Sequence, residues 1–161
     1  MTAEQNQKIE ALYLEMFEKL MIYARANLES DGLAEEAVQE TFRVACQLPQ
    51  KVCASANPQG WLVLTLRNTI RNMKRNRATA RRVIEQYLMD QVKEIAVSED
   101  HVSLHIQYEN LAQTEEFKLL AEMAIEGKSH QEMAAARGIS VSACKKRVQR
   151  AKETLQKKLR N

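Results

Sequence analysis

The fold is decided by Ser129-His130-Gln131-Glu132 together with Gly138-Ile139-Ser140, which follows it closely. Ser129 and Glu132 have the Ser-x-x-Glu spacing of a capping box, which predicts the start of a helix. That helix is expected to be short, over 131–137, because Gly138 supplies a tight turn. Ser140 is placed to cap the next helix. A short helix, a glycine turn and a longer helix are typical of a helix-turn-helix motif.

The longer helix separates an apolar side from a basic side. Its apolar positions recur at steps of four, three, four and four residues: Cys144, Val148, Ala151, Leu155 and Leu159. In a helix-turn-helix the second helix enters the major groove of DNA, so the polar side is expected to face DNA. Ser140, Ser142, Ala143 and Lys146 are the candidates for base edges, and Arg147 and Arg150 for phosphates, with Lys145 suited to either role. A helical hairpin with a solvated basic face is the alternative.

The charges of the chain are concentrated in blocks. The net charge is only +3, yet residues 61–82 carry seven Lys and Arg and no Asp or Glu, and residues 127–161 carry ten and two. Residues 83–126, between these blocks, are strongly acidic. Two dense basic blocks favour two separate contacts with one polyanion, and nucleic acid is the expected partner.

The composition favours helices and one or two small domains. The chain has 161 residues, of which 45% are hydrophobic, with only four Gly and two Pro, too few turn residues for an all-β fold. No apolar run is long enough to span a membrane, and the N-terminus lacks a secretory signal, so no membrane insertion and a cytoplasmic location are expected. Three sparse cysteines suit a reducing compartment.

Apolar periodicity and turn residues predict the remaining elements. Helices are expected over 8–28, from 33 to 47, and from Pro58, with Asn57 as its N-cap. A loop is expected over 49–57, because Pro49 reads as the end of the second helix. Residues 83–108 read as an acidic linker with some helix. A further helix is expected over 111–126, with Gly127 capping its C-terminus.

Longer runs of the sequence resemble a known family. The runs Gly127 to Ala134 and Gly138 to Lys152 closely resemble region 4 of bacterial RNA polymerase sigma factors. The N-terminal half resembles region 2 of the same family, most clearly in Ala34-Glu35-Glu36-Ala37-Val38-Gln39-Glu40-Thr41-Phe42 and in Asn57-Pro58-Gln59-Gly60-Trp61-Leu62. The order of region 2, short linker and region 4 is the layout of the small extracytoplasmic-function (ECF) group.

The resemblance implies an all-α fold of two small helical domains. The region 2-like domain would occupy 1–82, the acidic linker 83–108 and the region 4-like helix-turn-helix domain 109–161. It also implies a sigma factor, which binds core RNA polymerase and directs promoter-specific initiation without catalysing a reaction. The implied partners are core polymerase, promoter DNA and an anti-sigma factor, which restrains many such proteins. No cofactor is implied.

Matched positions carry the implied roles. The recognition helix would read the −35 element as duplex. Core polymerase would dock on Glu36, Gln39, Glu40 and Phe42. The −10 element would be melted and held by Trp61, Arg67, Asn68, Arg71, Asn72, Lys74 and Arg75, with loop 49–57 helping to form a pocket for a flipped base. Two positions depart from the family, since Asp is usual where Asn72 stands and a branched aliphatic residue where Cys144 stands.

Other chemistry is disfavoured. His101 and His105 are four residues apart, but no set of ligands completes a metal site around them. The chain contains no phosphate-binding glycine loop and no GxSxG or HExxH motif, so an enzyme is not expected. Two rival interpretations stay open: a stand-alone helix-turn-helix regulator that never engages polymerase, and an interaction protein or small helical enzyme whose basic faces only aid solubility.

Overall fold

The computed structural model describes residues 1–97 and 114–160. Over those ranges the chain forms seven helices and no strand, which confirms the predicted all-α class. Two compact units divide the chain after Arg75, at a point that lies inside a helix. The helices are α1 (Ala3–Asn27), α2 (Asp31–Gln47), α3 (Pro49–Ala54), α4 (Pro58–Val97), α5 (Glu115–Ala124), α6 (His130–Arg137) and α7 (Val141–Arg160).

The N-terminal unit packs α1, α2, α3 and the first part of α4 around one core. Its fully buried side chains include Leu20, Val38, Leu62 and Leu66. α2 begins at Asp31, two residues before the predicted start, because the Oγ of Ser30 accepts a hydrogen bond from the backbone N–H of Leu33 at 3.2 Å. The predicted start of α4 is confirmed, since the Oδ1 of Asn57 accepts from the N–H of Gly60 at 3.0 Å.

The predicted loop over 49–57 is wrong for its first six residues, which form α3. Pro49 lies in the first turn of this helix, where a missing N–H costs no intrahelical hydrogen bond. Val52 anchors α3 because its side chain is fully buried. The Nζ of Lys8 donates to the carbonyl of Cys53 at 2.8 Å and ties the end of α3 to α1. Only residues 55–57 separate the end of α3 from the start of α4.

The second part of α4 belongs to the C-terminal unit. Ala80, Val83, Ile84 and Tyr87 are buried there, at steps that keep them on one side of the helix. The chain was expected to leave its first domain after residue 82 and enter a linker over 83–108. The two units divide after Arg75, and residues 83–97, which were expected to contain some helix, continue α4. Residues 98–108 of the expected linker lie outside the described residues.

The C-terminal unit is completed by α5, α6 and α7. Leu120, Met133 and Leu155 are fully buried at the centre of its core. The expected helix over 111–126 is present as α5 from Glu115, and residues 111–113 lie outside the described part of the chain. Gly127 has a φ of +68°, which lets the N–H of Lys128 return to the carbonyl of Glu122 at 3.0 Å and close this end of α5.

Candidate nucleic-acid interface

Local hydrogen bonds define the two helices of the motif. The Oγ of Ser129 accepts from the N–H of Glu132 at 3.2 Å, and the Glu132 carboxylate accepts from the N–H of Ser129 at 3.3 Å. This is the predicted capping box. At the other end of α6, Gly138 has a φ of +63°, which other residues adopt only at a cost. A Cβ at Gly138 would meet no atom within 4 Å, so backbone conformation, not space, requires glycine.

The turn leads directly into α7. The N–H of Ile139 donates to the carbonyl of Ala134 at 3.1 Å, which holds the end of α6. The Oγ of Ser140 accepts from the N–H of Ala143 at 3.1 Å, and its carbonyl accepts from the N–H of Cys144 at 2.9 Å. Ser140 therefore caps α7 as predicted. The chain from Ser129 to Arg160 is a short helix, a left-handed glycine turn and a long helix.

One side of α7 is fixed in the core and leaves the opposite side for a ligand. Cys144, Val148, Ala151 and Leu155 are each less than a tenth exposed, and Cys144, Val148 and Leu155 belong to the core that α7 shares with α5 and α6. At 100° per residue, Ser142, Lys146 and Gln149 lie on the far side, and all three are exposed. This face combines a hydroxyl, an ammonium and an amide, which are groups that contact base edges and phosphates.

An ion-pair cluster holds α6 against α5. Arg137, at the end of α6, donates from Nε to Glu115 at 2.9 Å and from Nη1 to Glu122 at 2.7 Å. The Nζ of Lys128 lies 3.6 Å from the other oxygen of Glu122. Hydrogen bonds to Glu122 and Glu115 raise the pKa of Arg137. Burial acts to raise the pKa of Glu122, but the hydrogen bond and charge of Arg137, with Lys128, outweigh it, so this pKa lies below its ordinary value.

The depressed pKa of Glu122 predicts acid sensitivity of the C-terminal unit. A carboxyl with a lowered folded pKa stabilises the fold above its ordinary pKa of about 4.3 and loses that contribution as the pH falls through the folded value. We expect Glu122→Gln to lower the free energy of unfolding by about 1 kcal/mol at neutral pH, and the difference to shrink at lower pH. Urea unfolding at several pH values measures this.

Glu126→Gln is the matched control for that comparison. Glu126 pairs with Lys128 at 3.1 Å but is mostly exposed, so its replacement should change the unfolding free energy little. A Glu122→Gln deficit that stays the same at pH values below the carboxyl range would show that the ionised carboxylate is not its cause.

The predicted −35 residues do not all share one face. Ser140, Ser142, Lys145, Lys146, Arg147 and Arg150 are exposed, whereas Ala143 is half-buried. Arg147 and Arg150 line an open groove between α7 and α5, together with Glu115 and Glu116. Gln149, which the sequence analysis left out of the candidate set, lies with Ser142 and Lys146 on the outward face.

The predicted −10 residues lie along α4 in the N-terminal unit. Leu62, Leu66 and Ile70 point into the core, and the polar candidates are exposed on the other sides of the helix: Arg67, Asn68, Arg71, Asn72, Lys74 and Arg75. Trp61 differs from them, because its ring is half-buried and packs against the core. Leu64, which is not one of the predicted residues, lies one turn before Asn68 and is 56% exposed.

The predicted polymerase-docking residues lie on α2. Gln39 is exposed, Glu36 and Glu40 are half-buried, and Phe42 is only 8% exposed. The Phe42 ring meets Tyr13 of α1 edge-on, with centroids 4.9 Å apart, so it acts mainly as a support beneath this surface. The Arg43 guanidinium donates two hydrogen bonds to the Glu40 carboxylate, and these raise the pKa of Arg43.

The described residues contain no cluster of His, Cys, Asp and Glu that would hold a metal ion. His101 and His105 lie outside them. In the same part of the chain, no helix combines the length and the apolar character needed to cross a membrane.

Comparison with known proteins identifies the C-terminal motif. Residues 115–155, about a quarter of the chain, match the family model for Sigma-70, region 4. Searches among curated proteins and among solved structures give no significant match. The matched segment contains all of α5 and α6 and most of α7, with the capped turn at its centre. The resemblance to region 2 stays a prediction. Residues 115–155 are therefore similar to sigma-70 region 4, the DNA-binding domain with which sigma factors recognise the −35 element, and this similarity supports a sigma-type role for the chain.

Proposed function

We propose that the protein is a sigma factor of the ECF type, which binds core RNA polymerase and directs promoter-specific initiation. The observation that carries the proposal is the capped helix-turn-helix within the region 4 match, with the polar face of α7 exposed. In this proposal α7 reads the −35 duplex, and the protein itself catalyses no reaction.

The N-terminal unit supplies the other two proposed activities. Arg67, Arg71 and Arg75 recur at steps of four along α4 and are all exposed, which suits contact with the phosphates of the −10 element. Asn68 and Asn72 carry amides that suit the edges of unpaired bases. The exposed amide of Gln39, flanked by Glu36 and Glu40, is proposed to dock on core polymerase. An anti-sigma factor is a further proposed partner.

Co-purification with bacterial core RNA polymerase, followed by transcription from a promoter library, tests the proposal. Stable binding and selective initiation would support it and would yield the −35 and −10 sequences together. Specific duplex binding by the free protein without binding to core would instead favour a stand-alone helix-turn-helix regulator. The absence of any salt-dependent DNA binding would contradict both the sigma-factor proposal and the stand-alone regulator.

Arg150→Ala is expected to weaken DNA binding for all sequences alike. Arg150 is exposed on α7 and suits a phosphate contact, so its loss should reduce affinity about 5- to 10-fold and lower the slope of log affinity against log salt by about 0.9. Titration of labelled duplexes at several salt concentrations measures both quantities.

Lys158→Ala is the control, because Lys158 is exposed on the last turns of α7 beyond the matched segment. A loss confined to one DNA sequence in Arg150→Ala would contradict the phosphate assignment.

A further inference from the structure

The outward face of α7 carries four residues in register. Ser142, Lys146, Gln149 and Glu153 follow one another at steps of four, three and four residues, and all four side chains are exposed. They lie opposite Cys144, Val148 and the rest of the buried side. A ligand that docks on the side of α7 opposite its buried residues would contact this row.

Two of these side chains are joined. The Nε2 of Gln149 donates to the Oε1 of Glu153 at 3.0 Å, one turn further along the helix. A carboxylate accepts hydrogen bonds only, so the amide nitrogen must be the atom that faces Glu153. The carbonyl oxygen of the Gln149 amide then points away from Glu153. One acceptor and the second N–H of Nε2 remain for another molecule.

This pair of groups matches one base. In the major groove adenine presents its N6 amino group as a donor beside N7 as an acceptor, and a glutamine amide pairs with both at once. The Oε1 of Gln149 would accept from N6, and the free N–H of Nε2 would donate to N7. Guanine and thymine offer no donor at these positions, and cytosine offers a donor with no acceptor beside it on the same base.

We propose that Gln149, oriented by Glu153, reads an adenine of the −35 element and determines one base of the promoter sequence. This inference rests on the proposed function, since it requires α7 to lie in the major groove. Gln149 would touch the base, and Glu153 would act as a positioning residue. Fixing the amide before binding reduces the loss of side-chain entropy on contact.

Selection from duplexes randomised over the −35 element, with the full chain bound to core polymerase, tests the proposal. The wild-type protein should select a sequence with an adenine that Gln149→Ala no longer requires. Affinity for the selected sequence should fall about 5- to 100-fold in Gln149→Ala, while non-specific binding stays unchanged. Glu153→Ala should keep the same preferred base with weaker discrimination, and it should not lose general affinity, because it removes a negative charge.

Gln59→Ala is the matched control. The Nε2 of Gln59 also donates to a glutamate, Glu15, at 3.4 Å, but in the N-terminal unit, so the −35 preference should not change. An adenine preference that survives Gln149→Ala, or a selected −35 sequence without adenine, would overturn the inference and leave the sigma proposal standing. Failure of the wild-type protein to select any sequence would overturn both.

Discussion

Leu155→Ala is expected to lower the unfolding free energy of the C-terminal unit by about 2–5 kcal/mol, the usual cost of emptying a filled core position. Leu155 is fully buried on α7, in the same core as Leu120 and Met133. Its side chain holds the recognition helix onto α5 and α6, so DNA binding should weaken as the helix loses its support. Chemical unfolding followed by circular dichroism measures the stability change.

Two further variants separate this effect from others. Lys157→Ala changes an exposed residue of the same helix and should shift stability by less than about 0.5 kcal/mol. Leu62→Ala empties an equally buried position in the N-terminal core and should destabilise that unit instead. A cost for Leu155→Ala below 1 kcal/mol would mean that the site collapses without a cavity.

Gln39→Ala is expected to reduce binding to core polymerase about 10-fold or more, the effect of losing an energetic centre of an interface. Gln39 is exposed on α2, and Phe42, three residues further along the same helix, packs edge-on against Tyr13 of α1. Because this side chain is exposed, its replacement should leave the fold intact. Co-purification and competition with a labelled sigma factor measure the change.

Gln47→Ala is the control for the docking prediction, since Gln47 is an exposed glutamine at the end of the same helix. DNA contacts should stay intact in Gln39→Ala, which separates docking from promoter recognition. Unchanged binding of Gln39→Ala to polymerase would show that this surface of α2 does not dock.

Local signals in the sequence were sufficient for the helix ends with side-chain caps. Asn57, Ser129 and Ser140 each act on a backbone group within three residues, and Gly138 acts through its own φ. The same logic failed at Pro49, because proline both ends helices and begins them, and only the burial of Val52 decides between the two. The apolar residues of 83–97 indicated some helix, but no local signal showed that this helix continues α4 or that its buried side belongs to the C-terminal core.

The helix-turn-helix of the candidate site was predictable from the sequence, but the grouping of the α7 side chains on its different sides was not. The basic pattern of the sequence indicates Arg147 and Arg150, yet the groove that they line together with Glu115 and Glu116 depends on how α5 packs against α7. The contact between Arg137 and Glu115 joins residues 22 positions apart and has no local signature. Gln149 was omitted because an uncharged amide adds nothing to a charge count, although helical spacing places it with Lys146.

The position of the unit boundary inside α4 determines which truncated fragments of the protein keep a complete core. A fragment limited to the matched segment, 115–155, would lack Ala80, Val83, Ile84 and Tyr87, and the Tyr87 ring lies 6.3 Å from that of Phe117. Such a fragment would expose an apolar surface to water and would tend to aggregate in expression. A fragment that starts at Asn76 keeps those side chains and suits isolated studies of the domain.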